Sequence, residues 1–256
     1  MSTKKRTGTR EWSSHSYNCV SGCVHACRYC YARASALRFG RISKPDEWGT
    51  ETIRWNDVRR KHPKYDGVVM FPTAHDISQG NLEACGEALH HLLEAGNQVL
   101  VVSKPDPQCI GQLRRDLKKY RSQVEFRFTI GSPHKADLAF WEPGAPDFSA
   151  RKKAIEQAFE DGWKTSVSAE PLLAPWAARE LWNALIPYVT ETFWIGKLNK
   201  PKSRCAIENR DLGWLNHLVF WQNDDPILHV YDEFRRERKV RWKDSYREVI
   251  DRICHG

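Results

Sequence analysis

Short apolar runs and helical stretches alternate along most of this 256-residue chain, and that alternation restricts its fold more than any other property of the sequence. Residues 67–71, 98–103, 124–130, 165–169 and 192–198 are dense in β-branched and aromatic side chains, as buried parallel strands are. Between them, 82–95, 109–120, 150–161 and 176–188 have helical length and periodicity. A short first strand over 14–19 brings the count to six strand–helix units. Strands joined by helices pair in parallel through right-handed crossovers. Six units are too few for a closed eight-stranded barrel, so the sequence predicts an α/β fold, a partial (β/α)6 barrel. The barrel is expected over residues 1–200, with a C-terminal helical or irregular extension, 201–256, packing on it.

In such architectures ligands gather at the carboxyl ends of the strands. That rule nominates Thr73, His75 and Asp76 after the second strand, Ser103 and Lys104 after the third, Thr129 and Ser132 at the fourth, and Ser168 and Glu170 at the fifth.

Three cysteines, Cys23, Cys27 and Cys30, stand in the spacing C-x-x-x-C-x-x-C, with Tyr29 directly before the last. On a straight helix the outer two sulfurs would be strung out by roughly 10 Å. The segment therefore reads as a loop, with Gly22 easing its entry. Three thiolates can hold three irons of a [4Fe–4S] cube and leave the fourth without a protein ligand. Two other readings stand beside this one. One takes the thiols as packing groups, as buried cysteines often are, and the other as part of a structural zinc site completed by Cys19 or His25.

The loop resembles the radical S-adenosylmethionine (SAM) enzymes, and within them the spore photoproduct lyase-like branch, whose pattern is N-x-x-x-G-C-x-H-x-C-x-Y-C-Y-A-R. Asn18, Gly22, Cys23, His25, Cys27, Tyr29, Cys30, Tyr31, Ala32 and Arg33 meet its fixed positions. The stretch from Trp141 to Pro146, Arg151, the strand-like 164–171, and Val101-Val102-Ser103-Lys104 resemble later segments of the same family. The likeness covers roughly residues 12–175 and the remainder poorly. It implies a [4Fe–4S] cluster, S-adenosyl-L-methionine as the second cofactor, an electron donor such as flavodoxin or ferredoxin, and a 5′-deoxyadenosyl radical as product of reductive cleavage.

Further roles follow from the resemblance. Many radical enzymes carry a G-G-E segment after the second strand to bind the cofactor's amino group. That triplet is absent here, and Thr73, His75 and Asp76 occupy its place. Asp76 is then a candidate acceptor for the ammonium or a helix cap, and Lys104 a candidate partner for the methionine carboxylate. Tyr29 is expected near the adenine and Glu170 near ribose hydroxyls or substrate. His25 is expected to order backbone or supporting groups rather than bind metal, and Glu142 and Arg151 to form an ion pair. In the family's namesake a cysteine returns a hydrogen atom. Cys109 and Cys205 are candidates for that role by elimination only.

Composition narrows the setting. Hydrophobic residues at 41% and eleven tryptophans can supply a core. No apolar run is long enough to cross a bilayer, and residues 1–12 lack the apolar stretch of a signal peptide, so a cytoplasmic protein without a membrane partner is expected. Four of the eight cysteines crowd into 19–30, while Cys85, Cys109, Cys205 and Cys254 stand singly, which argues against a disulfide scaffold or a second cluster. The net charge is +8, with basic groups at 4–10, 54–64, 114–121 and, most densely, 235–247. In the last run Arg235, Arg236, Arg238, Lys239, Arg241 and Lys243 interleave with Phe234 and Trp242, a pattern suited to phosphates and bases. Nucleic acid or a nucleotide is the expected substrate, and a solvated helix face with balancing acids is the plain alternative. A radical enzyme acting on a peptide or small metabolite and a non-catalytic metal-binding module are the other two functional classes.

Overall fold

The computed structural model describes residues 7–254, so Lys4, Lys5 and Arg6 of the first basic cluster lie outside the described residues. The strands are β1 (His15–Ser16), β2 (Val20–Ser21), β3 (Thr52–Ile53), β4 (Val68–Phe71), β5 (Gln98–Ser103), β6 (Val124–Thr129), β7 (Lys164–Ala169), β8 (Phe193–Ile195) and β9 (Val240–Trp242). β2 and β3 form a separate antiparallel ladder. The other seven make one sheet in the order β1-β4-β5-β6-β7-β8-β9, every neighbouring pair parallel. The expected α/β partial barrel is what forms.

The period of two along each strand divides its side chains between helices and barrel interior. Val69, Phe71, Val99, Val101, Phe126, Phe128, Val167, Ala169, Phe193 and Ile195 belong to the main apolar core, together with Leu89, Leu113, Ile155 and Leu181 from the surrounding helices. The alternate positions are more polar. Arg127 Nε donates to Ser166 Oγ at 2.9 Å and its guanidinium pairs with Glu125 at 2.9 Å. The crossover helices start where the sequence provides caps: Asp106 accepts from Gln108 and Cys109 ahead of the helix Pro107–Asp116, and Asp147 accepts from Ala150 ahead of Phe148–Glu160. No helix is long and apolar enough to cross a membrane, among the described residues.

The C-terminal segment departs from expectation. It does not only pack on the barrel from outside: β9 pairs with β8 and supplies the seventh strand, so a boundary at residue 200 would cut through the sheet. Lys243, just past β9, is not available to a phosphate. Its side chain is 0% exposed, its ammonium donates to the Gly8 carbonyl at 2.6 Å, and it stands 3.6 Å from Glu11 and 3.4 Å from Glu170. It also lies 4.1 Å from the Trp12 ring centroid, while Arg127 lies 4.8 Å from the same ring. The N-terminal segment is therefore drawn against the sheet by buried cations from β6 and from beyond β9.

Three other cations of the basic run are also engaged within the chain, while Arg236 and Arg238 are exposed. Lys239 donates to the Val189 carbonyl, Arg241 donates to the Arg238 and Val240 carbonyls at 2.8 Å, and Arg235 pairs with Asp232 at 3.3 Å. Because all seven strands run in one direction, residues 235–239 enter β9 at its amino end. They stand on the side of the barrel opposite the carboxyl ends. Arg235, Arg236, Arg238 and Lys239 thus do not face the mouth where a reacting group would sit.

Lys243→Ala should destabilise the chain by about 3–5 kcal/mol in urea unfolding, because it strands two carboxylates near or in the interior. Arg236→Ala should change stability by less than about 0.5 kcal/mol, as an exposed position does.

Candidate cluster and cofactor site

The loop between β2 and the helix Tyr31–Arg38 has almost no regular hydrogen bonding of its own, and distant segments impose its shape. On one side Cys23 N–H donates to the Trp48 carbonyl at 2.8 Å. Gly22, at φ 88°, runs so close to this segment that a Cβ would lie 2.0 Å from the Thr50 carbonyl oxygen, so only glycine fits there. On the other side Arg28 N–H donates to the Trp141 carbonyl at 2.9 Å, and Gly144 N–H to the His25 carbonyl at 3.0 Å. A Cβ on Gly144 would meet the Val24 carbonyl oxygen at 2.2 Å. Between the clamps Ala26 takes φ 49°, a left-handed conformation that a residue with a side chain adopts only under outside constraint.

Cys23 and Cys27 are buried, and Cys30 lies partly buried against both of their apolar groups. Cys30 is also the N-cap of the helix Tyr31–Arg38, its sulfur accepting from Arg33 N–H at 3.4 Å. Burial pushes the Cys23 thiol up to about 12, and pushes Cys27 higher still although Lys104 opposes it. Those thiols keep their protons until a metal displaces them. Among the described residues, one set of three potential ligand atoms lies mutually within 4.8 Å, and it is Cys19, His75 and Cys85 rather than the loop cysteines. A single tetrahedral ion holds its sulfurs only about 4 Å apart. The three loop cysteines do not form such a set, among the described residues.

Asp76 joins the loop to the strand ends. Oδ1 accepts from Ile77 N–H at 2.8 Å and from the Ser103 hydroxyl, Oδ2 accepts from Lys104 N–H at 2.9 Å, and His25 Nδ1 stands 3.3 Å from Oδ2. Burial alone would raise this carboxyl, but His25, Lys104 and Ser103 outweigh it and hold the group well below its usual 3.8. With its oxygens so occupied, Asp76 is not a free acceptor for an ammonium. It is the junction of the site, and His25 is its partner, a supporting role as expected.

Tyr29 is likewise turned from its expected place. Its hydroxyl donates to Glu142, and its ring packs on Trp141 at 6.3 Å rather than lying open for an adenine. Glu142 and Arg151 form the expected ion pair, fully buried, and Arg151 also donates to the carbonyls of Pro146 at 2.7 Å and Thr129 at 3.2 Å. The pair ties the crossover after β6 to the strand end and to the cluster loop. Thr73 and His75 also serve the scaffold. Asn18 Nδ2 donates to Thr73 Oγ1 at 2.8 Å, and Asn18 Oδ1 accepts from Thr73 and Ala74 N–H at 2.8 and 2.7 Å. His75 is buried, its Nδ1 3.0 Å from the Asp76 carbonyl. Beside it, the Cys85 thiol and His75 draw the Cys19 thiol down to about 6 against the effect of burial.

Two polar groups at the strand ends are left over. No hydrogen bond to the Lys104 ammonium forms among the described residues. It stands 5.8 Å from the Tyr29 ring and is held strongly cationic: burial opposes the charge, but Cys27, Glu142 and Asp76 outweigh it. The Ser168 hydroxyl is buried without a partner on the interior face of β7. Thr129 is half-buried at the end of β6, and Glu170, one-fifth exposed, is committed to Lys243. Burial pushes the Glu170 carboxyl up to about 7 despite that lysine. Cys109 is sealed in the helix-facing core, which removes it as a hydrogen-atom donor at the mouth. Cys205 lies partly buried against the apolar group around Cys27 and Tyr29. Asn18 and Tyr31 are working parts of the site that were visible only as motif positions: Tyr31 donates to the Thr73 carbonyl.

No protein-family model matches the chain. The uncharacterized protein ORF301 of Acidianus two-tailed virus is 26% identical to it over 175 residues, 64% of this chain. The match spans 57% of that relative, less than two thirds of its length. Among solved structures, spore photoproduct lyase complexed with dinucleoside spore photoproduct superposes with a TM-score of 0.58 at 15% identity, covering 98% of this chain and 77% of that one. A point variant of the same lyase with dinucleoside spore photoproduct gives 0.60 at 14% identity over 93% and 78%. The likeness establishes the fold alone: the α/β partial barrel that spore photoproduct lyase also adopts.

Asp76 contributes stability that is fully present above its ordinary 3.8 and is lost as pH falls below it. The difference in unfolding free energy between wild type and Asp76→Asn should be about 2–4 kcal/mol near neutrality and should shrink steadily from about pH 5 to about pH 2.5. A difference constant with pH would show that the carboxylate is not the clamp.

Proposed function

We propose that this chain is a radical SAM enzyme whose [4Fe–4S] cluster is held by Cys23, Cys27 and Cys30. The observation that carries the reading is a loop of three cysteines clamped by distant segments beside the carboxyl ends of parallel strands in a lyase-like barrel. When bound, the cluster with S-adenosylmethionine would supply a 5′-deoxyadenosyl radical on receipt of an electron from a donor such as flavodoxin or ferredoxin. The protein's own part is placement. Lys104 offers an unpaired cation for the methionine carboxylate. Ser168 offers a hydroxyl, and Thr129 another, on the side of the barrel where the adenosine would extend. Cys205 is the remaining thiol candidate for returning a hydrogen atom.

Nucleic acid or a nucleotide is the substrate class we favour. Support comes from the net charge of +8 and from cations that follow the carboxyl end of β8, Lys197, Lys200, Lys202 and Arg204, rather than from the run at 235–243. The lyase of the same fold is complexed with a dinucleoside photoproduct. A base within a duplex would have to leave the stack to reach a radical inside the barrel mouth.

Cys27→Ala should lose both the cluster iron and reductant-dependent formation of 5′-deoxyadenosine, measured after anaerobic reconstitution; full activity in that variant would remove the assignment. Lys104→Ala should weaken S-adenosylmethionine binding at least tenfold with iron content unchanged. Replacing Lys197, Lys202 and Arg204 together by Ser should lower affinity for single-stranded DNA and flatten its salt dependence, whereas replacing Arg235, Arg236 and Arg238 should leave both unchanged.

A further inference from the structure

Cys19, His75 and Cys85 come from three separate segments: the chain after β1, the loop after β4, and the helix Leu82–Glu94. Cys19 and Cys85 are 0% exposed and His75 is 7% exposed. Their ligand atoms lie within 4.8 Å of one another, the spacing of donors around one ion. The cluster and cofactor site gives these three no chemistry to do, and in the sequence Cys85 is one of the solitary cysteines.

Two features set this group apart from a chance meeting of buried thiols. His75 Nδ1 lies 3.0 Å from the Asp76 carbonyl, and donating there fixes the tautomer whose lone pair is on Nε2, as an outer hydrogen bond does for metal-binding histidines. Nε2 accepts from the backbone N–H of Cys19 at 3.3 Å, beside the two sulfurs. Asn81 Oδ1 also stands 3.2 Å from the Cys85 sulfur, bringing an oxygen to the same place. The amide is locked there, Nδ2 donating to the Asp76 carbonyl at 3.0 Å and Oδ1 accepting from Ser78 N–H at 3.0 Å.

We propose that Cys19, His75 and Cys85 bind one structural zinc ion, with Asn81 nearest to the fourth position. Thiolate and imidazole donors suit this cation, and four-coordination is its habit in structural sites. Binding breaks two S–H bonds, forms two Zn–S bonds and releases two protons to solvent, with no change of oxidation state. Two thiolates cancel the charge of Zn2+, so the ion enters an apolar core at little electrostatic cost. The ion would brace the base of the cluster loop: Cys19 lies four residues before Cys23, and His75 adjoins the Asp76 junction.

The test is metal analysis of the full-length chain, reconstituted without air with iron and sulfide and supplied with stoichiometric Zn2+. The wild type should hold one zinc per chain beside its cluster iron, and Cys27→Ala should lose the iron but keep the zinc. Cys85→Ser should lose the zinc at least tenfold and keep the iron. Should Cys85→Ser fold poorly, Co2+ added to Cys27→Ala supplies the second readout: one equivalent with intense thiolate-to-cobalt absorption supports the site. A wild type that takes up no zinc, zinc that leaves with Cys27→Ala, or cobalt without thiolate absorption overturns it.

Discussion

The cluster loop cannot shape itself, and everything proposed for this chain depends on the buried carboxylate that anchors it. Asp76 receives the loop through His25 and the end of β5 through Ser103 and Lys104. A charge so deeply placed is tolerated only when nearly all its acceptor capacity is filled, and here four protein groups fill it. The same residue therefore fixes the height of the thiols above the strand ends and the position at which the Lys104 side chain departs.

Around that junction the scaffold uses polar groups where a smaller site would use apolar packing. Glu142 and Arg151, both wholly buried, bind the crossover after β6 to Tyr29 of the loop, and Asn18 holds the turn after β4 through three hydrogen bonds. Removing one partner of such a group costs more than the contact is worth, since the other is left desolvated. These networks specify one arrangement of the loop rather than contributing much net stability. Among the polar groups at the strand ends, the Lys104 ammonium makes no hydrogen bond among the described residues and the Ser168 hydroxyl is buried without a partner.

Much of the fold was legible because strand and helix periodicities differ and the core strands are apolar. The sheet from β4 to β8 and the loop character of residues 22–30 follow directly from pattern and spacing. β9 was hidden, being only three residues long with its apolar Val240 and Trp242 set among cations that resemble a solvated helix face. Lys243 shows why charge runs mislead: Glu11 and Glu170, far away in sequence, decide that it is buried. Asp76, His75 and Tyr29 were named from position and motif, but their partners lie 51 to 113 residues distant, and only the folded chain reveals that they are occupied. The meeting of Cys85 with Cys19 is a tertiary fact of the same kind.

The central claim is that three thiolates leave one iron of a cubane open to the sulfonium cofactor. Electron paramagnetic resonance of the reduced, anaerobically reconstituted protein tests it most directly. A [4Fe–4S]+ signal that changes shape when S-adenosylmethionine is added is the predicted result, because the cofactor would ligate the open iron. A protein that assembles no cubane, or a cubane whose signal is indifferent to the cofactor, would contradict the account.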